Sequence, residues 1–354
     1  MPAGKHALQT KKRPPKSRIQ PEPKPWDDWR WQLRNRRRTA DEITETLDLS
    51  RKERLALGEV VKSYRSAATP YYFSLMDAGD PLDPIRRQCV PDTREITSEG
   101  GVEDPLKERA HSPVPGLIHR FRDRCLVIAT NRCAVYCRHC NRKRLWHERE
   151  KILAPHELTA MAGYIEKRPA IREVILSGGD PLTLSDGRLE HILARLHAIE
   201  HVEVLRIGSR MPVVLPMRIT ERLCDILRRY RPLWFLTQFN HPREITPEAA
   251  AACRRLLEAG IPVLNQSVLL KGINDDFRIM RQLLYGLERI CVKPYYLFQC
   301  EPVKGADHFR VDIWDGMRMM EKLWKTTSGL CLPRYVADMP GTKGKVPLQP
   351  VSFL

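Results

Sequence analysis

Three cysteines stand within eight residues, in the stretch CAVYCRHC, as Cys133, Cys137 and Cys140. Thiols crowded in this way can build a disulfide framework, hold zinc, run a redox pair or ligate an iron–sulfur cluster. Zinc sites take four protein ligands, or three with one open position, and their usual spacings come as two pairs; no second pair accompanies this loop. A redox CxxC at Cys137 and Cys140 leaves Cys133 idle. Three thiolates at C-x3-C-x2-C can hold three irons of a [4Fe–4S] cluster, with the fourth iron open to a substrate or cofactor. The cluster is the favoured reading, with zinc behind it.

Two further stretches could carry chemistry. LSGGD (176–180) follows an apolar run, and its two glycines either form a tight turn or let backbone approach a ligand closely. PGTKGKVP (340–347) places lysines in a Gly-rich loop, which is ordinarily just surface.

The elements that must position these residues follow a rhythm. β-type runs at 124–130, 173–179, 202–209, 233–239, 262–270, 293–299 and 334–338 alternate with helical patterns such as GRLEHILARLHAI, TERLCDILRRY and TPEAAAACRRLLEAG. Six strand–helix units with a seventh strand predict an α/β fold, a partial parallel barrel too short to close as an eight-fold one. The first run ends in the cysteine loop, at the strand end where α/β folds place their chemistry. Residues 1–25 read as a basic, disordered arm, 26–115 as a helical region, 116–338 as the barrel and 339–354 as a C-terminal segment.

No run approaches the roughly 18 apolar residues of a membrane span, and the N-terminus has no apolar stretch of the signal-peptide kind. A soluble, cytoplasmic protein without a membrane partner is expected. The other seven cysteines (Cys89, Cys125, Cys224, Cys253, Cys291, Cys300 and Cys331) lie singly, mostly in apolar segments, as buried thiols of a reducing compartment do. Of the net charge of +17, +9 falls in residues 1–40. No aromatic-interleaved basic motif accompanies it, so a solvated leader is expected rather than a nucleic-acid partner.

The cysteine motif resembles that of the radical S-adenosylmethionine (SAM) superfamily. WDDWRWQLRNR, SPVPGLIHRFRDR, CAVYCRHCNRKR, LSGGDPL, RIGSRMPVVLP, FNHPREIT, NQSVLLKGIN and PYYLFQC, in that order from about Trp26 to Pro347, resemble the lysine 2,3-aminomutase family. The resemblance implies a partial (β/α)6-type radical SAM barrel with an N-terminal helical region. It implies an isomerase that moves an α-amino group to the β-carbon, using a [4Fe–4S] cluster on Cys133, Cys137 and Cys140, SAM and pyridoxal 5'-phosphate (PLP). Ser177, Gly178, Gly179 and Asp180 match the segment cradling SAM. Lys345 matches the lysine that carries PLP as a Schiff base, with Lys343 the next candidate. Gln266 matches a residue near the PLP ring oxygen, and Arg120 and Arg124 match cations that serve its phosphate.

Arg142 matches the arginine that grips the substrate carboxylate. Glu301 and Asp338 match the pair that meets the far end of the substrate. Two anions there favour a cationic side chain, so L-lysine is the expected substrate and L-arginine the alternative, because Glu301 is one methylene longer than the family's usual Asp. A translation-factor lysine isomerase and a basic RNA-modifying radical enzyme are lower alternatives. The expected partners are the free amino acid, a reductant such as flavodoxin or ferredoxin, and further copies of the chain in a homo-oligomer. The sequence lacks the cysteine-rich C-terminal extension of many lysine enzymes, so no structural zinc is expected.

Overall fold

The computed structural model describes residues 25–47, 49–342 and 344–348. The basic arm up to residue 24 and Lys343 therefore lie outside the described residues. Among those described, no helix is long and apolar enough to cross a membrane.

Among the described residues nine strands form one sheet in simple chain order: β1 Leu117–Phe121, β2 Arg124–Thr130, β3 Glu173–Gly178, β4 Val204–Gly208, β5 Leu233–Thr237, β6 Val263–Leu269, β7 Lys293–Gln299, β8 Arg334–Ala337 and β9 Val346–Pro347. β2 to β8 are parallel, while β1 and β9 pair antiparallel at the two edges. The edges do not pair with each other, so the barrel stays open. The seven parallel strands fall on the seven β-type runs of the sequence. β1 and β9 are additional: one is a hairpin arm before the first barrel strand, the other two residues long.

Strand periodicity explains how the sheet serves two layers. Glu173, Ile175 and Ser177 of β3 and Arg206 of β4 face inward onto a cavity, while the alternating Val174, Leu176, Leu205 and Ile207 are buried on the opposite face. The outer helices are written into the sequence by their caps. Thr246 accepts from Ala249 N at 3.1 Å ahead of the helix Pro247–Glu258, with Pro at its first position, and Gly260 (φ +72°) ends that unit. Asp276 caps the helix Phe277–Arg289 through Arg278 N at 2.8 Å and Ile279 N at 3.1 Å.

The N-terminal region is short helices, at Trp29–Arg34, Ala40–Thr44, Arg51–Ser63, Pro70–Ser74, Pro84–Cys89 and Arg94–Thr97. It packs against the cysteine loop. Tyr136 N donates to Ala67 O at 3.0 Å and Arg138 N to Gln88 O at 2.9 Å, and Arg36 reaches Cys133 O. Behind the loop, Glu95 is buried between two cations, Arg138 Nη2 at 2.6 Å and Lys143 Nζ at 2.7 Å. Lys143 Nζ also donates to Gly305 O at 2.6 Å. One buried carboxylate thus joins the helical region, the cysteine loop and the loop after β7.

Candidate active site

The inner face of the curved sheet and the loops at the C-terminal strand ends enclose a cavity of about 500 Å³. β2 delivers the cysteine loop, β3 Ser177 and Gly178 and then Gly179 and Asp180, β6 Gln266, β7 Glu301 and β8 Asp338. β1 brings Arg120, and β2 also brings Arg124. Arg142 follows the cysteine loop, and Lys345 immediately precedes β9. Every one of these residues, together with Cys133, Cys137 and Cys140, lines that one cavity.

The three thiols meet the demands of a cluster. Burial, helped by the neighbouring thiols, pushes Cys133 well up and Cys140 up to about 11, so both hold their protons until a cationic group takes the thiolates and releases those protons. Arg142 N points at Cys140 Sγ at 3.4 Å, and Arg210 Nη1 lies 2.8 Å from Cys137 Sγ. Such N–H···S contacts accompany cluster ligands. Among the described residues no three Cys, His, Asp or Glu side chains converge as the ligands of a single ion would; a cluster takes one thiolate per iron and needs them spread around a void. Of the remaining seven thiols, all but Cys291 are buried.

The glycines of LSGGD, on the wall of the cavity, also serve a neighbour within the chain. Gly178 has φ +132°, and a Cβ on it would run into Thr130 O; a Cβ on Gly179 would meet Arg132 O. The close approach is between β3 and the start of the cysteine loop, fastened by Gly179 N to Thr130 O at 2.6 Å and Asp180 N to Arg132 O at 2.8 Å. Asp180 is likewise occupied: its carboxylate accepts from Leu182 N (3.0 Å), Ser209 Oγ (2.8 Å) and Arg210 N (2.9 Å). Burial nevertheless pushes it up to about 6. Its oxygens join the β3 loop to the β4 loop. On the same wall, His139 Nδ1 and Thr237 Oγ1 are buried without a hydrogen-bond partner among the described residues. Orphans facing a cavity are what a polar ligand would satisfy.

Lys345 sits at the other end. Its Nζ is 3.2 Å from Asp338 Oδ2 and between 5.3 and 5.6 Å from the ring centroids of Phe121, Tyr296 and Phe298. The pair follows from register: β8 and β9 match Val336 to Pro347 and Ala337 to Val346, so the next step sets Asp338 opposite Lys345. Ring faces around an amine with arginines close by suit a flat, phosphorylated aromatic aldehyde. Arg124 stacks on Phe121 at 4.2 Å and pairs with Asp123. Arg120 pairs with Asp338 Oδ1 at 3.0 Å. A third cation on the cavity wall, Arg206, is tied to Glu173.

Arg142 already has an acidic partner. Its Nε and Nη2 edge clasps Glu108 in a bidentate pair, Nη2 to Oε1 at 2.7 Å, and Arg144 binds the same carboxylate. Although burial alone would raise Glu108, these two guanidiniums hold it down at about 2. A bidentate grip on a substrate is unavailable on that edge, which leaves the Nη1 and Nη2 end. Glu301 is pushed up to about 8, by burial first and then by the nearby Asp338 carboxylate, despite a hydrogen bond with Asn141.

Sequence reasoning missed Glu108, Arg210 and Asn141. Glu108 and Arg210 lie far along the chain from their partners, and Asn141 reads as one polar residue in a basic run.

An open, parallel α/β sheet with three thiols on the loop after its first parallel strand defines the radical SAM class, and residues 127–284 match the Radical SAM superfamily. The chain belongs to the lysine 2,3-aminomutase family. The L-lysine 2,3-aminomutase of Clostridium subterminale is 47% identical over 326 residues, covering 92% of this chain and 78% of that protein. A putative L-lysine 2,3-aminomutase of Aquifex aeolicus is 47% identical over 329 residues, with 92% and 88% covered. A glutamate 2,3-aminomutase of Clostridioides difficile is 41% identical over 325 residues, with 92% and 77% covered. Membership carries the family's cofactors, a [4Fe–4S] cluster, SAM and PLP, and makes the chain an isomerase.

Proposed function

We propose that the protein is a 2,3-aminomutase converting L-lysine to L-β-lysine. The observation that carries this reading is the pair of carboxylates, Glu301 and Asp338, on the wall of the cavity that also holds the three thiols and Lys345. A glutamate side chain would bring a further carboxylate against Glu301 and Asp338, whereas an ammonium lets Glu301 give up its proton and pair. The relatives named above are lysine enzymes, apart from the glutamate enzyme. No observation favours arginine over lysine.

In this reading Cys133, Cys137 and Cys140 hold the cluster, and Lys345 holds PLP, with Gln266, Arg120 and Arg124 around it. When bound, the cluster and SAM supply hydrogen-atom abstraction, and PLP supplies the chemistry that lets nitrogen move between adjacent carbons. The rest falls to positioning. Arg142, steadied by Glu108, turns its remaining edge to the substrate carboxylate. Glu301 and Asp338 take the side-chain ammonium, and Phe121, Tyr296 and Phe298 keep water from the middle. A shift between neighbouring atoms asks mainly that both substrate ends stay fixed. The substrate is the free amino acid, and the protein works in the cytoplasm as a homo-oligomer, with a reductant of the flavodoxin or ferredoxin type.

The test is direct. Anaerobically reconstituted protein with SAM, PLP and dithionite is given L-lysine, L-arginine or L-glutamate, and β-isomers are sought by mass spectrometry. Only lysine should convert. Conversion of arginine or glutamate alone, or of none with cluster and PLP in place, overturns the reading.

A further inference from the structure

We propose that Arg210 is a positioning residue for the electron-accepting step: its clamped guanidinium donates to Cys137 sulfur and makes the cluster easier to reduce. The inference rests on the cluster assignment above. Arg210 follows β4 and is 7% exposed.

Its donors are spoken for on almost every side. Nε goes to Gln238 O at 3.1 Å, and Nη2 goes to Gln88 Oε1 at 2.6 Å, Glu244 Oε1 at 2.7 Å and Tyr72 Oη at 3.2 Å. Its main-chain N–H is held by Asp180. Glu244 is fully buried and further fixed by Tyr72 Oη and by the N–H groups of Asn240 and His241. Swinging Arg210 away would strand that carboxylate without its counter-charge. The fork is therefore rigid, and what it presents to the cluster loop is Nη1, 2.8 Å from Cys137 Sγ. By contrast, the donor at Cys140 Sγ is the neutral main-chain N–H of Arg142 at 3.4 Å.

Reduction adds one electron, taken from the external reductant, and hence one negative charge to the cluster; no bond to Arg210 forms or breaks. A fixed cation donating to a ligand sulfur favours the more negative, reduced state, and hydrogen bonds to sulfur are among the determinants of cluster potential. A purely structural Arg210, present only to neutralise Glu244, would leave the potential alone.

The experiment is a redox titration monitored by electron paramagnetic resonance, on reconstituted protein without SAM, so that the readout does not depend on turnover. Wild type, R210K, E244Q and the double variant R210M/E244Q are compared at matched iron and sulfide content. The double variant removes both members of the buried pair, avoiding a stranded charge. Its reduction equilibrium constant should fall at least tenfold, which for one electron is about 59 mV downward. R210K should fall less, and E244Q, which leaves the cation uncompensated, should not fall. An unchanged potential in the cluster-loaded double variant overturns the proposal. Should that variant retain no iron, an unchanged potential in R210K overturns it. Wild type unable to take up a [4Fe–4S] cluster would instead refute the cluster assignment itself.

Discussion

Glu301 is a carboxyl whose protonation bears directly on substrate binding. With its carboxyl raised to about 8 by burial and by Asp338, the empty site holds a proton at neutral pH, and an incoming ammonium must displace it. The sign follows: below pH 8 binding releases a proton, so L-lysine affinity should rise about tenfold per pH unit up to that point and then level off. Equilibrium dialysis of L-lysine against unreduced enzyme between pH 6 and 8.5 checks this, and E301Q should bind more weakly with a flat profile. A flat wild-type profile would mean that Glu301 does not receive the ammonium. At this scale the sequence identified the residues that face the cavity but not their standing partners. Arg142 is expected to act as a clamp through its match to the family's carboxylate-gripping arginine; its engagement by Glu108, 34 residues earlier, is a product of folding that no local pattern records.

Elements were legible in proportion to their periodicity. The seven parallel strands show as apolar runs because both faces of each are covered, and the outer helices show through Thr246, Asp276 and their apolar stripes. β9 did not, since two residues have no period. The contacts of Gly178 and Gly179 with the cysteine loop were not legible for a related reason: sequence shows that a glycine is wanted, not which neighbour within the chain requires it. Since a Cβ at Gly178 would strike Thr130 O, and φ +132° is strained for any other residue, G178A should cost about 1–3 kcal/mol or more. Thermal denaturation should show the loss, with reduced iron uptake because the cysteine loop is seated on that contact. An unaltered melting point with full iron would show that the strand end can yield.

At the scale of the whole molecule, the N-terminal helices are the back wall of the cysteine loop. Their tendency to form was readable from capping pairs such as Ser50 with Glu53; where they dock was not, because docking runs through main-chain groups, Ala67 O and Gln88 O, that carry no sequence signature. Glu95 is the side chain on which this packing turns. E95Q leaves Arg138 and Lys143 buried without their shared anion and should destabilise the fold by about 3–5 kcal/mol, measurable by urea denaturation. The same variant should lose iron on gel filtration at temperatures where wild type keeps it. Unchanged stability and retention would show that the helices and the cysteine loop hold together without it.

The antiparallel step between β8 and β9 brings the proposed PLP lysine and a proposed substrate carboxylate within eight residues. Because neighbouring strand positions point to opposite faces, deleting or inserting one residue between Met339 and Gly344 would send the Lys345 amine to the outside of the sheet while Asp338 stayed within. The length of that turn is thus fixed by the same geometric requirement as the proposed role of the lysine. Substitutions along it can be absorbed during divergence, but single-residue gaps cannot, so family members that change substrate are expected to do so by exchanging side chains on a loop of constant length.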